Sequence, residues 1–220
     1  MDGDAFLREI VKQLTHELRP NDSLKKVFTT NSAIIGQYAE ESVRALVRRT
    51  VAPLRVSTGA VIDPATTPDP KLPQLDTIVW TPSPSPALFE VGSFGLIPRG
   101  SSMGILEIKR SDYRGVGSQL AQRLTLEKVR PLVADPMPAE GCAFERLPVL
   151  GVVCLREGVR TDKKLDKLIG QGRVVVLFER RGNVLRERPK DVCDLINFLS
   201  YLRSRARHHD GAWRITYRGK

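Results

Sequence analysis

The most informative stretch of this chain is Gly104-Ile105-Leu106-Glu107-Ile108-Lys109-Arg110. Its apolar residues, its initial glycine and its lack of proline predict a short buried β-strand. Because side chains alternate across a strand, Glu107 and Lys109 share one face with Ile105, whereas Leu106 and Ile108 point toward the other. Burying charge is costly unless the charge is paired or holds a metal. The strand therefore carries either a solvated Glu–Lys pair at a sheet edge, which the tripeptide alone favours, or a site for chemistry.

A second stretch, Pro73-Gln74-Leu75-Asp76-Thr77-Ile78-Val79-Trp80, also has the pattern of a strand and carries an acid near its beginning. An insertion rich in proline, glycine and serine, residues 81–102, separates it from the first stretch. Asp76 on one strand, with Glu107 and Lys109 on the next, resembles the core motif of the PD-(D/E)xK nuclease superfamily. The resemblance implies that the two carboxylates hold a divalent metal and that the lysine lies beside the attacking water.

Residues 32–50 are predicted to form a helix, because apolar and small residues fall on one stripe at 100° per residue. Glu40 falls at the edge of that stripe. Glu41 falls about 100° away, in a solvated position among polar residues, namely Gln37, Arg44 and Arg48. Many members of the superfamily carry a glutamate on the helix before the sheet, so the resemblance implies that Glu40 helps to hold the metal or its waters. A salt bridge from Glu40 to Lys109 or to an arginine is the alternative.

Further positions extend the resemblance. The set Gly36-x-x-x-Glu40, Gln74-x-Asp76 and Glu107-x-Lys109 is similar to an uncharacterised bacterial family placed in this superfamily. RecB-like members carry Gln-x-x-x-Tyr on the helix after the motif strand. Here that helix is predicted at residues 113–129 and carries Gln119-x-x-x-Arg123, with arginine in place of the tyrosine. Gln119 is a candidate to reach a phosphate or a metal-bound water, and a solvated helix face is the alternative.

The remaining pattern predicts an α/β protein. Further elements are expected as helices at 4–18, 161–169 and 191–203, strands at 54–62, 149–155 and 174–178, and an edge strand at 211–217. Their order implies a restriction-endonuclease-like mixed β-sheet core (αβββαβ) over residues 32–155, flanked by helices. The expected domains are an N-terminal helical extension at 1–30, a PD-(D/E)xK nuclease-like domain at 31–203 and a basic C-terminal tail at 204–220.

Composition limits the class of protein. The chain has 220 residues, of which 41% are hydrophobic, and this suits one domain with a substantial core. The acidic first residues and the lack of a long apolar run predict a cytoplasmic protein without a secretory signal or a membrane span. Three widely spaced cysteines argue against zinc. The phosphate-loop, dinucleotide, serine-hydrolase and zinc-protease motifs are absent. The formal net charge of +10 favours a polyanionic partner.

The sequence thus predicts a metal-dependent nuclease that hydrolyses phosphodiester bonds, a DNA endonuclease of restriction or anti-phage type. The expected cofactor is Mg²⁺ or Mn²⁺, which the resemblance assigns to Asp76, Glu107, Glu40 and the carbonyl of Ile108. Lys109 is expected to orient or deprotonate the attacking water, or to stabilise negative charge. The catalytic candidates are Glu40, Asp76, Glu107, Lys109 and Gln119.

Nucleic acid, with DNA as the first choice, is the expected partner. Five arginines are expected to contact its backbone: Arg110, Arg114, Arg123, Arg205 and Arg207. A homodimer is a further expectation. The alternative function is a non-catalytic nucleic-acid-binding or regulatory protein that retains the nuclease fold.

Overall fold

A mixed sheet lies between two layers of helices. The structure is a computed structural model that describes residues 31–63, 72–83, 85–135, 147–157 and 162–212, together with positions 9, 12, 13, 16 and 18. Side chains are described as far as residue 207. The α-helices and β-strands are, in chain order, α1 (Ser32–Val51), β1 (Arg55–Ile62), β2 (Leu75–Trp80), β3 (Phe89–Val91), β4 (Phe94–Pro98), β5 (Ser102–Ser111), α2 (Val116–Arg123), α3 (Leu126–Val129), β6 (Val149–Glu157), α4 (Lys163–Gly170), β7 (Val174–Arg181), β8 (Val184–Glu187) and α5 (Pro189–Ala212).

The eight strands form one sheet in the order β3-β4-β1-β2-β5-β6-β7-β8. β2 runs antiparallel to both β1 and β5, whereas β5, β6 and β7 are parallel to one another. Parallel neighbours need a crossover, which α2 and α3 supply between β5 and β6 and α4 supplies between β6 and β7. The predicted α/β class and the mixed sheet flanked by helices are confirmed.

Each face of the sheet buries its own apolar core. On one face, α1 and α5 pack against residues that include Leu106 and Ile108 of β5. On the other face, α2 and α4 pack against residues that include Ile105 of the same strand. The alternation predicted for β5 is therefore present, and Glu107 emerges from a strand that is covered on both sides.

Three short strands, β3, β4 and β8, were not expected from the sequence. β3 and β4 form a hairpin inside the insertion at residues 81–102, and β4 then pairs parallel with β1. β8 forms a second hairpin with β7. Both hairpins turn at a glycine with positive φ, 58° at Gly92 and 59° at Gly182, a conformation that glycine adopts without steric cost.

The helix predicted at 113–129 is divided in the structure. Gly115, with φ of 94°, is left-handed at the N-cap, so α2 begins only at Val116. Tyr113 therefore precedes the helix and is exposed rather than packed on its apolar face. Asp162 Oδ2 accepts the N–H of Gly117 at 3.0 Å, and the same side chain caps α4. One aspartate thus ties the beginnings of α2 and α4 together.

The predicted tail boundary at 204 falls within a helix, because α5 continues to Ala212. Ala206 is buried, and Arg205 donates to the carbonyls of Met103 and Ala134. Positions 211 and 212 of the expected edge strand are helical, and the rest of that strand lies outside the described residues. The extension at 1–30 also lies outside them, apart from five helical positions. No helix of the described part has the length and apolarity needed to cross a membrane.

Candidate active site

The sheet brings Asp76 to Glu107 and Lys109. Thr77 pairs with Leu106 across the antiparallel strands β2 and β5, so Asp76 comes to lie beside the charged half of β5. Asp76 Oδ2 accepts the backbone N–H of Ile108 at 2.8 Å and lies 3.6 Å from Lys109 Nζ. Lys109 Nζ also donates to Glu107 Oε1 at 2.6 Å. Two carboxylates and one ammonium group therefore form a single cluster where β2 begins.

Glu107 is a buried carboxylate with two cationic partners. Its side chain is only 3% exposed. Arg123, the last residue of α2, donates to Oε1 at 2.6 Å, which is the oxygen that also accepts from Lys109. A desolvated carboxylate needs such compensation. The guanidinium of Arg123, expected to contact phosphate, here pairs with the acid of the motif, while its side chain stays 54% exposed.

Burial and neighbouring charge shift the pKa values of this cluster. Burial raises the pKa of Asp76, and the nearby Glu107 carboxylate raises it further, against the opposing effects of Lys109, the Ile108 N–H and Arg123. Burial lowers the pKa of Lys109, but the hydrogen bond to Glu107 and the charges of Glu107 and Asp76 outweigh burial, so the net pKa is raised. Lys109 is therefore a charged hydrogen-bond donor at neutral pH in the metal-free protein.

The two neighbouring glutamates of α1 have opposite electrostatics. Glu40 is 31% exposed and lies 3.6 Å from Arg44, which is the ion pair with an arginine that the sequence left open. Burial, then the charge of Asp76, raises the pKa of Glu40 above its usual value. Glu41 is 47% exposed, and hydrogen bonds from Arg48 and Arg44 outweigh its burial and lower its pKa. The helix thus turns Glu40 toward the cluster and Glu41 toward solvent.

Arg44 is the site residue that the sequence analysis placed wrongly. It was expected on the solvated face with Glu41, yet its side chain is buried and donates to the backbone carbonyl of Asp76 at 2.6 Å. Helical periodicity could not show this, because the partner carbonyl lies on a strand 32 positions away.

The remaining predicted residues lie around the cluster rather than in it. Gln119 is exposed on α2, one turn before Arg123, and accepts a hydrogen bond from the hydroxyl of Tyr113. Arg110 is partly buried near the end of β5, and Arg114 is exposed just beyond that strand. The basic residues of α5 differ from each other: Arg205 is used on backbone carbonyls, whereas Arg207 is exposed.

One cleft includes Glu107 of the cluster in its walls, and another lies farther along the chain, at the beginnings of α2 and α4. The first has a volume of about 600 Å³ and is mainly apolar, with Leu75, Ile105, Glu107 and Arg123 in its walls. The second, of about 640 Å³, lies where α2 and α4 begin and is lined by Asp112, Tyr113, Arg114, Gly115, Ser118, Asp162, Lys163 and Lys164. The carboxylates of the second cleft are already engaged by backbone N–H groups, Asp112 with Glu157 and Asp162 with both helices. Arg114 and the two lysines therefore dominate its charge.

The donor set fits a hard divalent cation. Ile108 directs its N–H at Asp76, and because the N–H and C=O of a strand residue face the same neighbour, its carbonyl faces Asp76 as well. Two carboxylates with a carbonyl are typical Mg²⁺ ligands, the rest being water and phosphate. Within the described residues, no group of three or more His, Cys, Asp and Glu side chains is arranged to hold a metal. The groups that could hold such a cation are the carboxylates of Asp76 and Glu107 and the carbonyl of Ile108, with Glu40 close enough to Asp76 for their charges to interact.

Comparisons with known proteins support the fold. No protein-family model and no curated protein matches the sequence. The cAAA-bound NucC of P. aeruginosa ATCC27853 superposes with a TM-score of 0.55 at 16% identity, covering 91% of this chain and 92% of that one. The cAAA-bound NucC of E. coli MS115-1 gives 0.57 at 16% identity over 97% of each chain, and its apo form gives 0.52 at 16% identity over 97% and 99%. At this identity, the likeness shows that the two proteins share a fold.

Proposed function

We propose that this chain is a metal-dependent nuclease, a DNA endonuclease of the anti-phage type. One observation carries the proposal: β2 and β5 bring Asp76, Glu107 and Lys109 together, with Lys109 Nζ 2.6 Å from one carboxylate and 3.6 Å from the other. Buried carboxylates in proteins are paired or coordinate a metal, and two acids on adjacent strands with a lysine between them suit a site for a divalent cation. The shared fold with NucC supports the same reading.

Asp76, Glu107 and the Ile108 carbonyl would hold Mg²⁺ or Mn²⁺, which supplies polarisation of the phosphoryl oxygen and activation of water. Lys109 would hold the attacking water or the phosphate as a charged donor, since its acidic neighbours raise its pKa. Arg123 has an exposed side chain and could move its guanidinium from Glu107 to a phosphate oxygen. Glu40 would orient water at the side of the site nearest α1.

The experiment is incubation of the purified protein with supercoiled and linear DNA in Mg²⁺, Mn²⁺ or EDTA. We expect nicking or cutting of the supercoiled form with either metal and none in EDTA. Because two of the solved NucC structures are cAAA-bound forms, each reaction is run with and without cAAA. DNA binding without cleavage under all these conditions would instead favour the alternative, a nucleic-acid-binding or regulatory protein that retains the nuclease fold.

A further inference from the structure

Arg44 is a buried arginine that links α1 to the strand of the candidate site. Its side chain is only 7% exposed. A guanidinium is removed from water at a considerable cost, which must be offset by hydrogen bonds and opposite charge. An arginine on an ordinary solvated helix face avoids this cost by keeping its charged head in water. The burial of Arg44 therefore calls for an explanation in its contacts.

Those contacts join two different parts of the fold. Arg44 Nη1 donates to the backbone carbonyl of Asp76 at 2.6 Å, and the same atom lies 3.6 Å from Glu40. Arg44 Nε donates to Glu41 at 2.9 Å, and Arg48 holds the other oxygen of Glu41 at 2.5 Å. The glutamate at position 41 thus fixes the guanidinium on its helix, and the guanidinium fixes the beginning of β2.

Asp76 needs this support because of its place in the strand. It precedes Thr77, whose pairing with Leu106 is the first residue pair of the β2–β5 ladder. The main chain of Asp76 is held by Arg44, and its carboxylate is held by the N–H of Ile108 at 2.8 Å. One hydrogen bond thus holds the main-chain carbonyl of Asp76 and another holds its side-chain carboxylate. Together they set the direction in which the carboxylate points.

We propose that Arg44 is a positioning residue, which fixes the carboxylate of Asp76 opposite Glu107 for binding of a divalent cation. The inference rests on the proposed function, since it assigns Asp76 to a metal. Residues that orient metal ligands typically change metal affinity by 10-fold to 100-fold when they are replaced. Arg44 acts through the backbone and does not reach the cation itself.

The test is calorimetric titration of the full chain with Mn²⁺ alone. Arg44→Lys keeps the charge but loses the fork that serves the carbonyl and Glu41 together, and Arg44→Met removes every donor. Arg48→Lys is the matched control, because Arg48 pairs with the same glutamate but not with Asp76. We expect Arg44→Lys to weaken Mn²⁺ binding by about 10-fold, Arg44→Met by up to about 100-fold, and Arg48→Lys by less than about 2-fold.

Cleavage kinetics give a second readout. Because Arg44 is buried, its replacement should lower kcat on plasmid DNA and leave KM for DNA unchanged. Unaltered Mn²⁺ affinity in Arg44→Met, or an equal loss in Arg48→Lys, overturns the positioning role. If circular dichroism shows that neither Arg44 variant folds, Arg44 is a structural anchor and the role is likewise overturned. A wild-type protein that binds no Mn²⁺ overturns the proposed function together with this inference, a pattern distinct from loss confined to the variants.

Discussion

Lys109 Nζ lies 2.6 Å from Glu107 Oε1 and 3.6 Å from Asp76 Oδ2, so that one ammonium group lies between the two acids of the motif. The lysine and the glutamate are two positions apart on β5, where side chains share a face. The side chain of Lys109 is itself largely buried. Its charge therefore compensates both acids, and in the proposed function it would also stabilise negative charge on a phosphate held by the metal.

Replacing Lys109 by alanine should abolish most cleavage. Loss of one preorganised donor at a developing charge costs on the order of 10²–10³ in rate. Glu107 also loses a partner while buried, which should lower the free energy of unfolding of the metal-free protein by about 1–3 kcal/mol. Because the folded pKa of Lys109 is raised, this stabilisation is fully present below the unfolded pKa and is lost only as pH rises through the folded one.

Plasmid nicking rates and thermal melts at pH 6 and pH 8 check both expectations for Lys109→Ala. The loss of stability should be the same at the two pH values, since both lie well below the pKa of a lysine. Lys190→Ala, at an exposed position in the first turn of α5, is the control and should match wild type. Wild-type cleavage by Lys109→Ala would remove the lysine from the mechanism.

The two glutamates of α1 should give opposite results when each is replaced by glutamine. Glu40→Gln should reduce cleavage without lowering the melting temperature, because burial and Asp76 already raise the pKa of Glu40 and penalise its charge. Glu41→Gln should reduce cleavage much less than Glu40→Gln, because a glutamine amide oxygen can still accept the hydrogen bond from Arg44 Nε, and it should lower the melting temperature slightly. The pKa of Glu41 is lowered, so its stabilisation is present above the unfolded pKa and is lost as pH falls through the folded one.

Melts of the Glu40 and Glu41 variants at pH 7 and pH 3.5, beside plasmid cleavage at pH 7, separate the two roles. The difference between Glu41→Gln and wild type should shrink at the lower pH. Each glutamate is the matched control for the other, since they differ by one position on the same helix. Equal loss of activity in both variants would contradict the assignment of Glu40 to the site.

The sequence predicts the core of this fold better than its edges. Strands such as β5 and β6 are covered on both faces, so their apolar runs are long and their type is evident. β3 and β8 are short, exposed edge strands, and their side chains carry little hydrophobic pattern. Their signal is in the turns instead: Gly92-Ser93 and Gly182-Asn183 are two-residue hairpin turns of a favoured type.

In the candidate site, features set by neighbouring residues on one strand could be predicted, whereas contacts between residues far apart in the sequence could not. Glu107 and Lys109 are recognisable because their spacing on one strand fixes their common face. The bond between Arg123 and Glu107 depends on where α2 ends relative to β5, and residue spacing carries no such information. Arg44 was misplaced because its burial involves the carbonyl of a strand residue 32 positions away, which the spacing of residues along the helix does not indicate.

The second cleft should be part of the nucleic-acid surface. Arg114, Lys163 and Lys164 are exposed around it, and the two lysines begin α4, where the helix dipole disfavours positive charge. Their presence is better explained by a polyanion than by stability. Replacing all three by alanine should weaken DNA binding and reduce the slope of log affinity against log salt by roughly 0.9 for each phosphate that the protein no longer neutralises.

Binding isotherms of the triple variant over a range of salt concentrations, measured in Ca²⁺ or EDTA to prevent cutting, test the role of the second cleft. Arg186→Ala with Lys190→Ala, at exposed positions on β8 and α5, is the control. The melting temperature should not fall in the triple variant, because Asp162 still caps α4. An unchanged slope would show that the phosphates are met elsewhere, with the basic residues of α5 next to be tested.

Asp76→Asn should stabilise the metal-free protein at neutral pH. Burial and the charge of Glu107 raise the pKa of Asp76, so its ionised form is penalised in the folded state. Asparagine keeps the shape and an oxygen that can accept the N–H of Ile108, and it removes the charge. We expect a gain of about 0.5–2 kcal/mol in the free energy of unfolding, typical of a single stabilising change.

The pH dependence and the metal dependence of the Asp76→Asn effect distinguish this cause from others. An acid with a raised folded pKa binds more protons folded than unfolded, so its penalty grows as pH rises through the unfolded pKa and levels off above the folded one. The gain from Asp76→Asn should therefore vanish on acidification to about pH 3, below the ordinary pKa of aspartate. The variant should also lose the stabilisation that Mg²⁺ or Mn²⁺ gives to wild type by binding the native state.

Thermal melts of wild type and Asp76→Asn in EDTA and in metal, at pH 3 and pH 7, test both expectations. A variant that melts below wild type in EDTA at pH 7 would mean that the ion pair between Asp76 and Lys109, 3.6 Å apart, outweighs the desolvation and repulsion that raise the pKa.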